Sequence, residues 1–343
     1  MKKLLPLLLV VALFSSHDMF LKLDSYFLQP DTEATIRLFN GTFAQSENVI
    51  IRNRMIDVSL VGNGKRMTQD TTQWSEQDNA TLLSFKTGAP GTWVAGVSTR
   101  PNDIAMDAAA FNKYLEHDGI HDMLKWRKEN NTLEEDAVEK YAKHVKTIFQ
   151  VGDKKTDDWQ TELGYPIEFI PTSNPYDLKP GDKFGVKLLF EGQPLRGQLV
   201  TIDAARAGHD DHGHDHAEGE EHTHDEGTLL RTDVRGELTF PIDHEGVWYL
   251  RTINLVESQE AGLTHESNWA TLTFEVGHGH AHGAHDHADA DHGHDHGDGV
   301  GAHTHDDGSE HEHHEEGGVP AYVFWVGSLA VLGGLFLFFN KQD

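Results

Sequence analysis

No cysteine occurs anywhere in the chain, which excludes disulfides, thiolate metal sites, iron–sulfur clusters and cysteine nucleophiles. Basic residues are scarce: 28 Lys and Arg stand against 56 Asp and Glu, a formal net charge of −28. Nucleic-acid binding draws on a basic surface that displaces counterions from phosphate, so no nucleic-acid partner is expected. Catalytic signatures are missing too. There is no G-x-S-x-G elbow and no H-E-x-x-H zinc helix, and without G-x-x-x-x-G-K-[ST] the chain cannot pump by hydrolysing ATP. The expectation is a protein that is not an enzyme.

Histidine is what the chain has in excess. Nineteen of its twenty-five histidines fall in two tracts. The first, 208–227, reads GHDDHGHDHAEGEEHTHDEG and carries His209, His212, His214, His216, His222 and His224 among eight carboxylates. The second, 277–318, carries His278, His280, His282, His285, His287, His292, His294 and His296, then His303, His305, His311, His313 and His314, among eleven carboxylates. Neither contains Lys or Arg, so together they supply −19 of the net charge and leave an ordinary −9 for the rest. With almost nothing apolar to bury, both tracts are expected to be disordered and solvated. Neutral imidazole and carboxylate suit divalent Zn, Ni, Co and Cu, and His-x-His spacing lets neighbouring rings share one ion. An acidic spacer would serve without histidine, so metal capture or buffering is the sharper reading. Flexible ligand sets follow one affinity order with Cu(II) at the top, so the composition does not choose the metal.

The first sixteen residues, MKKLLPLLLVVALFSS, join two lysines to an apolar run and small residues, as a secretory signal does. Cleavage after Ala12, Ser15 or Ser16 fits, and the last two put His17 second or first in the mature chain. Near the other end, 319–339 is an uncharged apolar run of twenty-one residues, about 31 Å long as a helix and enough to span a bilayer. Tyr322 and Trp325 lie near one end and Lys341 follows the other, as for a cytoplasmic exit. The chain thus reads as exported and held in the inner membrane by one transmembrane helix at 319–340, with its bulk in the periplasm.

Between these ends the patterning is mainly β. In 17–102, the runs TIRLF, IDVSLV, TLLSF and TWVAGVS are β-branched or alternating, and 62–64 (GNG) and 89–91 (APG) are turn signals. A small antiparallel sandwich is expected there. Residues 103–150 read as a helical insertion, with one helix from Ala105, an interruption at Gly119, and a continuation from His121. A further helix is expected from a Thr132/Glu135 capping box through Lys146. From 164 to 276 six strand candidates return and predict a second sandwich, with the first His tract inserted in a hairpin loop.

Several blocks carry a family resemblance: GYPIEFIPTSNPYDLKPGDKFGVKLLFEGQPLRGQLVTI, TDVRGELTFPIDHEGVWYL and WATLTFEV, preceded by SHDMFL, FNKYLEHDGI and EKYAKHVKTIFQVGD. Together they resemble the DUF4198 family, exported bacterial proteins grouped with the periplasmic component of nickel and cobalt uptake (NikM-like). The second half is also similar to carboxypeptidase-regulatory or Ig-like sandwiches through G-x-P-L-x-G and T-D-x-x-G. The resemblance implies divalent-metal handling, with Ni²⁺ or Co²⁺ (or Zn²⁺) presented to an inner-membrane uptake transporter. Two other classes stay open. One is copper or zinc sequestration and tolerance without a transporter, and the other is a structural or adhesion protein whose His-rich tracts are spacers.

The resemblance puts His17-Asp18 where the family has its post-signal histidine. A histidine at either of the first two mature positions chelates Cu²⁺ or Ni²⁺ through ring and main-chain nitrogen. Such a histidine with a second one on a sandwich would also allow a copper oxygenase, but no second partner can be placed. His117 and His121 are four apart, a spacing that sets two rings on one helical face, although Gly119 lies between them. His265 beside Glu266 is a further candidate ligand at a sandwich end. His144 is expected on a helix as a solvated or packing residue, and His244 in a turn. Glu168 is expected to point away from Ile167 and Phe169 in a structural role, toward solvent. Trp93, Trp248 and Trp269 are expected in the core.

Overall fold

The computed structural model describes residues 17–206 and 227–277. The first half supplies β1 (Asp18–Lys22), β2 (Phe27–Leu28), β3 (Glu33–Gly41), β4 (Met55–Gly62), β5 (Lys65–Thr68), β6 (Trp74–Gln77), β7 (Ala80–Lys86), β8 (Gly91–Thr99) and β9 (Asn102–Met106). Next come α1 (Ala108–His117), α2 (His121–Glu129) and the long β10 (Ala137–Val151). The second half supplies β11 (Ile167–Pro171), β12 (Lys183–Phe190), β13 (Gln193–Pro194), β14 (Leu199–Arg206), β15 (Thr228–Arg231), β16 (Glu237–Pro241), β17 (Gly246–Glu257) and β18 (His265–Val276). The protein is mainly β, as its alternating runs predicted. Asn63 and Gly64 both take positive φ, 53° and 72°, which is the type I′ geometry that closes the β4–β5 hairpin.

The stretch 103–150 is helical only in α1 and α2. The further helix expected over 132–146 is absent, and β10 occupies most of that stretch instead. Thr132 and Glu135 do make a local turn, with the Glu135 N–H donating to the Thr132 carbonyl at 3.1 Å. Beyond it, the β-branched and aromatic residues Val145, Thr147, Ile148, Phe149 and Val151 favour a strand. Pairing decides the matter: β10 lies between β18 on one side and β8 and β9 on the other. Tertiary hydrogen bonding thereby overrides a capping signal worth about 1 kcal/mol.

The ten-stranded central sheet runs β15-β14-β17-β18-β10-β8-β4-β5, with β2 and β9 also on β10. Strands of both expected sandwiches therefore share one sheet, joined where β10 and β18 run parallel, Glu139 opposite His265 through Thr147 opposite Thr273. A four-stranded sheet, β1-β3-β7-β6, covers one of its faces. There Thr271 Oγ1 donates to the Met19 carbonyl (2.8 Å), Thr273 Oγ1 to that of Leu21 (2.5 Å), and Phe85 meets Phe149. A third sheet of β11, β12, β13 and β16 covers the opposite face, where Phe184 packs 4.7 Å from Phe274. The arrangement is sandwich-like, and one apolar cluster runs through it from Leu38 and Trp93 to Phe184, Trp248 and Phe274. A second cluster lies under the helices, where Phe111 and Leu115 of α1 meet Trp269 and Ile253.

β14 and β15 pair antiparallel, with Leu199 opposite Arg231 and Ile202 opposite Thr228. The first His tract thus lies between two paired strands, although the second of them, Thr228–Arg231, was not among the strand candidates, and the predicted strand that follows, β16, pairs with β12 instead. The signal segment, both His tracts apart from Gly227 and Gly277, and the apolar run at 319–340 lie outside the described residues. Among the described residues no helix is long and apolar enough to cross a membrane.

Candidate functional site

β1 is held on β18 by the two threonine hydrogen bonds, and this carries Asp18 to the start of the layer that also holds α1 and α2. Asp18 accepts from Arg251 Nε of β17 at 2.5 Å. Arg251 reaches in turn to the residue after α1, with Nη2 3.1 Å from Asp118 Oδ1 and Nη1 3.2 Å from the Asp118 carbonyl. His117 Nδ1 lies 3.5 Å from the same Asp118 oxygen. Lys143 of β10 completes the network by donating to the His17 carbonyl, with Asn40 Oδ1 at 3.4 Å. Two segments flagged separately in the sequence, 17–18 and 117–121, are therefore brought together by Arg251.

The electrostatics follow from burial. Asp18 is pushed above the usual carboxylate range by burial, against the pull of Arg251. Burial alone would lower Arg251, but Asp18 and Asp118 outweigh it and hold the guanidinium raised. Burial lowers Lys143 to about 8, although Asp18 and Asp118 favour its charge. The hydrogen bond to Asp118 raises His117. Nearby, Glu139 of β10 is 2% exposed and accepts from Ser267 and from Tyr114 (3.2 Å), and burial raises it to about 7.

The His17 ring has a different pair of neighbours. Its Nε2 lies 2.7 Å from Glu47 Oε2 and 3.1 Å from the Asn48 amide, at a half-buried position. One nitrogen, one carboxylate and an adjacent main chain make a partial ligand set open to solvent. His117 ends α1 and His121 begins α2, and Gly119 between them has φ +69°. The two rings consequently do not share one helical face by i,i+4 spacing. His121 instead lines a cavity of about 60 Å³ beside Arg251. His265 is buried against Phe111, its ring 4.7 Å away. Its Nδ1 is 2.7 Å from Thr264 Oγ1, its Nε2 has no partner, and burial with the nearby Arg127 lowers it to about 4.

Among the described residues, no three His, Asp or Glu side chains converge to hold a metal ion. Arg251 bridges Asp18 and Asp118, so its guanidinium stands where a metal shared by the two carboxylates would sit. The nineteen tract histidines lie outside the described residues.

Other side chains resolve into structural roles. His144 is buried in β10, with Nδ1 2.9 Å from Ser98 Oγ and Nε2 3.1 Å from Asn268 Oδ1, and burial lowers it to about 4. It is a satisfied core histidine on a strand, not a residue on a surface helix. Glu168 points inward, contrary to the sequence expectation. Its carboxylate meets Lys146 Nζ at 3.0 Å and the N–H groups of Leu163 and Gly164 at 2.9 Å each. Both ends of this ion pair are almost fully buried, joining β10 to β11 across two layers. His244 does lie in a turn, 2.5 Å from Asp243, and Trp93, Trp248 and Trp269 are core residues. Sequence reading passed over Arg251, Asp118, Lys143 and Glu139. Their one available signal was a charge set within a strand or directly after a helix.

A family model described as a domain of unknown function, DUF4198, matches residues 14–255. No curated protein matches the chain. Among solved structures, the D0–D1 domain of intimin is 11% identical with a TM-score of 0.17, covering 75% of this chain and 97% of that one. Native Escherichia coli alpha-2-macroglobulin is 12% identical with a TM-score of 0.20, covering 76% of this chain and 14% of its own length. The adhesin InvE of Yersinia pseudotuberculosis is 10% identical with a TM-score of 0.18, covering 76% and 58%. At such scores none of these likenesses bears on what this chain does.

Proposed function

We propose that this chain, which belongs to the DUF4198 family, captures divalent transition-metal ions outside the inner membrane and passes Ni²⁺ or Co²⁺ (or Zn²⁺) to an uptake transporter. The observation that carries the reading is the placing of nineteen of twenty-five histidines in two tracts with carboxylates and without Lys or Arg. Imidazole and carboxylate in that mixture bind borderline divalent ions as cargo, many and weakly rather than one tightly.

The anchoring of the tracts supports joint action. Arg206, the last described residue before the first tract, is the register partner of Gly246, and Gly246 is the partner of Val276. The second tract follows directly at Gly277. Two strand spacings of about 4.8 Å separate Arg206 from Val276, so both tracts leave the body from strand ends about 10 Å apart. The turn bearing Asp243, His244 and Glu245 immediately precedes the strand between them.

Metal capture by neutral imidazole has a pH signature. Free histidine titrates near about 6.5, so proton competition should release cargo below about pH 6. Equilibrium dialysis of the full chain against Zn²⁺ or Ni²⁺ at pH 5 to 8 tests this. Several ions per chain at pH 7.5 and few at pH 5 are expected, and uptake unchanged across that range would remove histidine as the principal ligand.

A further inference from the structure

The cavity beside Arg251 combines features that the metal reading does not use. Asp118, its side chain 5% exposed, lines the cavity and leaves Oδ2 with no hydrogen-bond partner. A buried carboxylate oxygen with no donor is costly unless something supplies one. On the same wall begins α2, a nine-residue helix whose N-cap position is Ile120 and which has no capping side chain. Its first N–H groups, with the partial positive charge of the helix end, suit an anionic oxygen. Arg251 also lines the space, and three of its five N–H bonds go to Asp18 and Asp118, which leaves two for a ligand.

These groups select against singly charged ligands. A lone anion would face Asp118, and a lone cation would face Arg251 and the helix end, while Asp122 on the same wall is already paired with Arg231. A small molecule with both charges satisfies both sides. We propose that this cavity binds a small zwitterionic α-amino acid, its ammonium on Asp118 Oδ2 and its carboxylate on the α2 N-terminus and Arg251. At about 60 Å³, with Leu199, Ile253 and Leu255 on the remaining wall, the space suits glycine or alanine better than a branched amino acid.

The test is calorimetric titration of the full chain in EDTA, so that no tract-bound metal recruits the ligand. Glycine, alanine, leucine, acetate and methylammonium are titrated separately. Binding of glycine and alanine is expected, with acetate, methylammonium and leucine at least tenfold weaker. Asp118→Asn, which removes a charge-assisted bond, is expected to weaken glycine by about tenfold or more. The panel on the unaltered protein keeps the proposal falsifiable if Asp118→Asn fails to fold. No glycine binding at millimolar concentration, or acetate binding as well as glycine does, overturns the zwitterion site.

Discussion

Replacing Glu139 by Gln should stabilise the protein, but only at the alkaline end of its range. Glu139 sits beneath α1 with 2% of its surface exposed, and burial raises its pKa from 4.5 to about 7. Asp118 adds to the rise, while Ser267, Tyr114 and Lys143 oppose it. Because the folded pKa is raised above the unfolded one, the folded state holds its proton more tightly. The associated stability is complete below pH 4.5 and is lost as pH climbs through 7. A shift from 4.5 to about 7 corresponds to about 3 kcal/mol at about 1.4 kcal/mol per unit. Glutamine cannot ionise and keeps an oxygen for the Ser267 and Tyr114 hydroxyls, though its amide needs an acceptor, which reduces the gain to about 1–3 kcal/mol at pH 8. At pH 4.5 the ionisation gain is absent, so the variant should be less stable by the amide cost alone, at most about 2 kcal/mol. Urea unfolding in EDTA at pH 4.5, 6 and 8, with m unchanged, reads the difference. A variant equally destabilised at all three values would refute the claim that burial keeps Glu139 protonated.

Three further outcomes rest on other parts of the structure. Glu168→Gln should cost about 3–5 kcal/mol by leaving the Lys146 ammonium buried without its anion, whereas Lys146→Met with Glu168→Leu should recover most of that loss. Chemical denaturation of the single and double variants distinguishes these. His144 and His265 are depressed by burial from 6.5 to about 4, so their contribution is complete above pH 6.5 and is lost as pH falls toward 4. His144→Gln should flatten the stability–pH curve in that window by about 1.4 kcal/mol per pH unit, and an unchanged slope would show that His144 titrates normally. Replacing 208–226 with a short Gly/Ser loop should alter stability by less than about 1 kcal/mol, since loop closure depends weakly on length. A larger loss would mean that the tract packs on the body.

The strands were legible wherever one property was sufficient. TIRLF, IDVSLV and TWVAGVS declare themselves by β-branching, and each lies inside an observed strand. β10 was not legible, because Glu139, Lys143 and Lys146 repeat at helical intervals and follow a capping signature. In the fold those charges are buried and satisfied from different layers, Lys146 by Glu168 and Lys143 by the His17 carbonyl. Glu168 misled for a related reason. Alternation assigns a strand residue to solvent only when one face is open, and β11 is covered on both. At the site, composition exposed the tracts at once, and histidine spacing flagged 17–18 and 117–121. What joins them is Arg251, more than 130 residues further on, and no local pattern announces a contact at that separation.

The most direct measurement is calorimetric titration with Ni²⁺, Co²⁺, Zn²⁺ and Cu²⁺ of the intact chain and of the same chain lacking 208–226 and 278–318. Capture by the tracts predicts several weakly held ions per intact chain, falling on deletion to at most one at His17 and Glu47. Stoichiometry and affinity unchanged by the deletion would contradict it and return the metal function to the folded body.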